Sequence, residues 1–297
     1  MAPSPVPKAW TTVAATTPVE FTLVMSTTFH NSGDAAVRSG RVTVPLKAPP
    51  QAPSQALLWE RITPTPVAVT TDALGNRAAE FDLAGIAPGD SLEVRGEYRL
   101  ISWGSGGEGS SGPVLPAHLR SAAKIESGAP EIRLLAQAAT RGETEPAAKL
   151  ARLFNRTREL LQYDEDSPVR NHGALAGLGA GTGVCEEYAS LFVAMARAVE
   201  IPARLVIGFG RDRNSAEDAW GDGGSVREHR HAWAEAYLPD HGWVTFDPTF
   251  NRSGLSGVGA ASVASGTLIA DNYGDRSVKG SYLGGVIEVS RRQTLVW

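Results

Sequence analysis

The sequence predicts an α+β protein built from two units, and three observations carry that expectation. Residues 19–102 repeat short alternating runs broken by turn chemistry, a Gly/Ser-rich stretch follows at 104–112, and beyond Pro130 the apolar period changes from two to that of a helix before strands return. The expected architecture is a small N-terminal β-sandwich followed by helices packed on an antiparallel sheet. With 297 residues, 42% of them apolar, the chain can bury more than one core. The expected boundaries are 1–103 for the sandwich, 104–114 for a linker and 115–297 for the second unit.

In the first unit, Phe21, Leu23 and Met25 alternate with Thr22, Val24 and Ser26, and Asn31-Ser-Gly-Asp34 ends the run. Further strands are expected at 41–46, 65–71, 78–83 and 91–102, separated by Pro- and Gly-containing turns. Arg41, Glu93, Arg95, Glu97 and Arg99 fall mostly at alternating positions, as the wet face of such a sheet requires. They carry no visible chemistry, so the unit reads as a support or docking module, with substrate recognition as the alternative.

The second unit opens with two helices. Ile132, Leu135 and Ala136 follow Pro130, while Leu150, Leu153, Phe154 and Leu160 follow Pro146, and a first-turn proline loses no hydrogen bond. A Gly/Ala-rich segment at 173–183 leads into 184–199, where Val184, Tyr188, Leu191, Phe192, Met195 and Val199 form one helical stripe. Ile201-Pro202 stops that helix, 203–209 reads as a buried strand and 211–230 as a polar loop. Strands at 231–237 and 243–246, joined by a Pro- and Gly-containing connection, form a hairpin.

Composition narrows the function. A net charge of −4 with no block of five like charges argues against a nucleic-acid partner or a polybasic membrane surface. No apolar run reaches the length of a membrane span, and the opening residues lack the apolar core of a signal peptide. The chain as given is expected in the cytoplasm, a secreted protein with a removed leader being the alternative. One cysteine, Cys185, permits neither an intramolecular disulfide nor a four-cysteine zinc site.

That cysteine sits at the expected mouth of a helix, where unpaired N–H groups favour an anionic nucleophile and could hold the oxyanion formed when it attacks an amide. A small buried apolar residue is the other reading of a free cysteine. His231 opens one strand of the hairpin and Asp247 closes the other, so antiparallel pairing makes them neighbours, in the relation of base and orienter. His229 would share the face of His231 if the strand begins early. His30, His118, His172 and His241 have no such partner and read as structural or solvated, and Trp233 and Trp243 are candidates for either site wall or core.

Four blocks, Gly183-Val-Cys-Glu-Glu-Tyr-Ala189, Ile201-Pro-Ala-Arg204, His231-Ala-Trp-Ala-Glu235 and Gly242-Trp-Val-Thr-Phe-Asp-Pro-Thr249, resemble in this order the core of the transglutaminase-like superfamily. The resemblance runs from about residue 115 onward and includes 271–285 as a flanking part of bacterial members; the N-terminal sandwich resembles their accessory domain only loosely. It implies a papain-like core with Cys185, His231 and Asp247 as catalytic triad and no cofactor. It further implies an acyltransferase acting on a carboxamide of a peptide or protein through a Cys thioester resolved by a primary amine. A peptidase or amidase that resolves the thioester with water is the alternative, and a catalytically silent protein-binding module a third. The calcium sites of animal members are not expected here: the acidic stretch 212–222, with Asp212, Glu217, Asp218 and Asp222, lacks cation-ligand spacing and reads as a solvated loop bordering the cleft.

Overall fold

A computed structural model of the chain describes residues 19–47, 55–102, 112–210, 229–253, 268–272 and 277–296. Six strands come first: β1 (Val19–Asn31), β2 (Ser39–Pro45), β3 (Gln55–Thr63), β4 (Ala68–Thr71), β5 (Arg77–Asp82) and β6 (Ser91–Ser102). Helices α1 (Pro130–Ala139) and α2 (Pro146–Leu160) follow, then β7 (Gln162–Tyr163), α3 (Ala174–Ala180), β8 (Thr182–Gly183) and α4 (Cys185–Ala198). The chain continues through β9 (Ala203–Gly210), β10 (Arg230–Leu238), β11 (Gly242–Asp247), β12 (Arg252–Ser253), β13 (Leu268–Asn272), β14 (Lys279–Leu283) and β15 (Ile287–Val296). Among the described residues no helix is long and apolar enough to cross a membrane.

The sandwich forms from two four-stranded antiparallel sheets, in the orders β15-β1-β6-β3 and β14-β2-β5-β4. Phe29 and Val94 of the first sheet meet Val42, Val44, Ala79 and Phe81 of the second in one core. β1 and β6 are longer than the strands opposite them, so the same apolar face runs on past the second sheet. There Phe21, Leu23, Met25, Tyr98, Leu100 and Leu295 enclose Phe209 of β9. On the wet face Arg61 meets Glu97 at 2.6 Å and Arg99 meets Glu20 at 3.0 Å, in agreement with the alternation of charge.

Two expectations are corrected here. Residues 279–296, expected in the second unit, instead supply β14, which pairs with β2, and β15, which pairs with β1, placing Ile287 and Leu295 in the sandwich cores. The physical reason is edge satisfaction: without these two strands the backbone groups along one side of β1 and β2 would be unpaired. Strand β3 was not foreseen, and the strand expected at 65–71 is confined to β4. A register shift between Leu57 and Trp59 breaks the alternation that would have marked β3. The linker lies largely outside the described residues, as does the acidic loop 212–222.

The second unit packs its helices on the antiparallel sheet β12-β11-β10-β9-β13. α1 and α2 begin at the two prolines, and α4 at Cys185. α4 is more deeply enclosed than its stripe implies: every residue from Leu191 to Ala196 is fully buried, because α1, α2 and α3 cover the sides that the sheet leaves open. Phe192 stacks on Phe246 of β11 at 4.8 Å, fixing the helix over the hairpin. Helix α3 arises in the Gly/Ala-rich segment and ends on Gly181 in the left-handed region (φ 70°).

Candidate active site

Cys185 is the first residue of α4 and is half-buried. The turn before it is held from below by Glu187, which is fully buried. Glu187 Oε2 accepts from the Val184 N–H (3.1 Å), and its Oε1 accepts from the N–H groups of His172 (2.9 Å) and Gly173 (3.3 Å). This is the N3-to-N-cap reach of a capped helix, extended to a second loop. A Cβ on Gly183 would stand 2.5 Å from Glu187 Cβ, so the glycine makes room for this clamp.

β10 and β11 pair in the register Ala234↔Phe246 and Leu238↔Gly242, which carries His231 and Asp247 to the same end of the sheet. His231 Nε2 and Asp247 Oδ2 are 2.8 Å apart, both groups being buried. The other oxygen, Oδ1, accepts from the Phe250 N–H at 3.1 Å. With Nε2 donating to the carboxylate, Nδ1 is the imidazole atom left for the Cys185 thiol, which is hydrogen-bonded to His231. Burial is the strongest influence on His231 and acts to lower its pKa. The charge and hydrogen bond of Asp247, joined by those of Cys185, outweigh it and raise the pKa to about 10. The imidazole is therefore held as imidazolium at neutral pH.

Packing fixes the ring as well. Phe250 stacks on it at 4.1 Å with an interplanar angle of 11°, and Trp233 lies at 6.1 Å. A Cβ on Gly210 would come within 2.7 Å of His231 Cδ2, so β9 passes close behind the imidazole. A cavity of about 740 Å³ is lined by Glu186, next to Cys185, and Arg230, next to His231, together with Lys124, Ile207 and, from the sandwich, Leu74.

The structure thus brings together Cys185, His231 and Asp247, with Trp233 close by. Trp243 does not join them. It sits near the far end of the hairpin, where its Nε1 donates to the Gly112 carbonyl (3.0 Å), the Arg204 guanidinium lies 4.0 Å above its ring and His118 meets it edge-on. Arg204 in turn pairs with the buried Glu235 at 2.6 Å. His118 is buried, and burial, then the charges of Arg204 and Arg197, lowers its pKa to about 4. His229 is not the partner of Asp247; the strand begins too late for it to take that position. Sequence reasoning missed Glu187, Gly210 and Phe250. The three-residue spacing from Val184 to Glu187 was a legible signal, whereas the other two depend on strand pairing. Among the described residues no group of three His, Cys, Asp or Glu side chains could hold a metal ion.

Residues 133–248 match the family model of the transglutaminase-like superfamily. A protein-glutamine gamma-glutamyltransferase of Pseudomonas aeruginosa is 30% identical over 174 residues, 54% of this chain and 24% of that protein. The uncharacterized protein YebA of Bacillus subtilis is 38% identical over 71 residues, 23% of this chain and 9% of that protein. The chain therefore spans a quarter or less of the length of these curated relatives. In fold it is similar to a putative cysteine protease from Cytophaga hutchinsonii, with a TM-score of 0.58 at 17% identity over 95% of both chains.

Proposed function

We propose that the chain, whose residues 133–248 match the model of the transglutaminase-like superfamily, is a cysteine acyltransferase acting on a carboxamide of a peptide or protein. The observation that carries this reading is the His231 imidazole, held by Asp247 at 2.8 Å beside the Cys185 thiol at a helix mouth. The Cys185 sulfur attacks the carboxamide carbon, and the C=O π pair moves onto oxygen. His231 gives its Nδ1 proton to the leaving nitrogen, the C–N bond breaks, and ammonia departs from a Cys185 thioester. An amine then attacks the thioester, His231 takes the amine's proton, and the new amide leaves the sulfur anionic again.

The same three groups would activate water in place of an amine, giving hydrolysis. The transfer reading is favoured by the sequence relationship to a glutamyltransferase, since the likeness to the protease is one of fold alone. Mass spectrometry of a glutaminyl peptide incubated with the protein and a primary amine tests it. A mass gain of the amine minus ammonia is expected. A gain of about one dalton, or a cut peptide, assigns the thioester to water, and an unchanged peptide with every amine refutes acyl transfer to this class of substrate. Replacing Cys185 with alanine, or alkylating it, should abolish turnover with little change in melting temperature; full activity after alkylation of this single thiol would end the proposal.

A further inference from the structure

We propose that the cavity beside α4 binds the acyl donor as an extended peptide, with a carboxylate about five residues from the reacting glutamine held by Arg197. The inference rests on the reading of Cys185 as the nucleophile. One end of the cavity adjoins that thiol through Glu186 and Arg230, each next in sequence to a residue of the site, and the other end is walled by Arg197 and Arg204. Glu186 and Arg197 stand about three turns apart in α4, so they share one face of the helix and are separated by about 16 Å along its axis. Between them the wall is apolar, with Ile125, Leu205 and Ile207 on one side and Leu74 of the sandwich on the other. A volume of about 740 Å³ over that length leaves a cross-section of about 45 Å², close to the ~50 Å² that strand and sheet spacings allot to one extended chain. At about 3.3 Å per residue the channel takes five residues.

The far end is built for an anion. Arg197 is only 7% exposed; its Nε donates to the Ala203 carbonyl at 2.9 Å and its Nη1 to the Arg120 carbonyl at 2.7 Å. Among the described residues Nη2 donates to no group and no carboxylate pairs with the guanidinium, yet Nη2 is not sealed from solvent, so its N–H groups open onto the cavity that Arg197 lines. Burial lowers the Arg197 pKa to about 10, with no opposing charge to offset it. Two neighbouring cations of the wall differ in this respect: Arg204 has Glu235 at 2.6 Å, and Lys124 has Glu186 at 3.0 Å. A buried guanidinium without a counter-ion is costly, and an incoming carboxylate meets it in charge-assisted hydrogen bonds away from bulk water. Arg197 is thus a specificity-determining residue, since a carboxylate anchored at the far end sets the carboxamide at the thiol.

Titration calorimetry on the full chain carrying Cys185→Ala, where nothing turns over, tests the assignment with three acetylated hexapeptides of one glutamine and five further residues. The first begins with glutamine, continues in alanine and valine and ends in a free carboxylate; the second is its C-terminal amide; the third, also an amide, begins with aspartate and ends with glutamine. One of the two charged peptides should bind about tenfold or more tighter than the neutral one, and which of them does so tells an α-carboxylate from an acidic side chain. The advantage should fall below twofold in Arg197→Gln, and a glutaminyl dipeptide with a free carboxylate, too short to span the channel, should show none over its amide. Equal affinities, no binding, an advantage that survives Arg197→Gln or an equal advantage in the dipeptide each overturn the proposal. Should Arg197→Gln fail to fold, Ala123→Trp at an exposed position of the cavity wall fills the channel and should abolish the preference, whose persistence is equally fatal. The parent enzyme given the preferred peptide and a primary amine reads the reaction separately: a peptide that is bound with this preference but left unmodified removes acyl transfer and leaves the carboxylate site standing.

Discussion

At the scale of single residues, the His231 imidazole couples the chemistry to stability. Its folded pKa of about 10 lies above the ordinary value of ~6.5, so the folded state holds a proton that the unfolded state has lost between those limits. The stabilisation is complete below about pH 6.5 and disappears as pH rises through about 10. Urea midpoints measured from pH 7 to pH 10.5 should fall steadily, and the slope should flatten in His231→Gln. A parallel slope in the variant would show that other groups cause it. Asp247→Asn should keep the fold and lose at least tenfold in turnover, but less than the ~10⁴ seen in a serine protease, because asparagine is an accepted orienting group in papain-like sites. A rate within twofold of the parent would place the orienting group elsewhere. These three residues could be read from the chain because a helix mouth and the two ends of a hairpin are local features. Gly210 could not be read so, since its place behind the imidazole comes from the pairing of β9 with β10, which no local signal marks.

At the scale of elements, α4 and β9 set the precision of the site. Glu187→Gln puts an amide donor against N–H groups that now share a carboxylate, and should cost ~1–3 kcal/mol, read as a lower urea midpoint at unchanged slope. Alkylation of Cys185 should slow in the same variant as the first turn loosens. If both quantities stay at parent values, the clamp is not what positions the nucleophile. Gly210→Ala places a methyl where the His231 ring now rests, so turnover should fall more than tenfold with only a small change in melting temperature. The helices that follow Pro130 and Pro146 were legible from apolar spacing and a starting proline. Helix α3 was not, because glycine and alanine carry no apolar stripe, and β3 was hidden by the irregularity between Leu57 and Trp59.

At the scale of the whole molecule, Phe209 ties the sandwich to the strand that backs the imidazole. Phe209→Ala should lose ~3–5 kcal/mol of stability and also reduce turnover, since β9 would no longer be fixed against the first sheet. Retained turnover at a temperature where the variant is folded would confine the residue to stability. The sandwich's last two strands escaped sequence reading because chain neighbours are the usual spatial neighbours, and β14 and β15 instead return across the whole second unit. That return sets an order of events on the ribosome. β1 and β2 leave the exit tunnel before the second unit and then wait until synthesis passes residue 279, on the order of ten seconds or more at cellular rates, before their edge partners exist. Throughout that interval the nascent chain carries two open strand edges while the segment between them can already fold. Stalled chains ending near residue 275 should therefore show protease-sensitive sandwich residues beside a protected helical core, and protection of both would mean that the sandwich closes without its final strands.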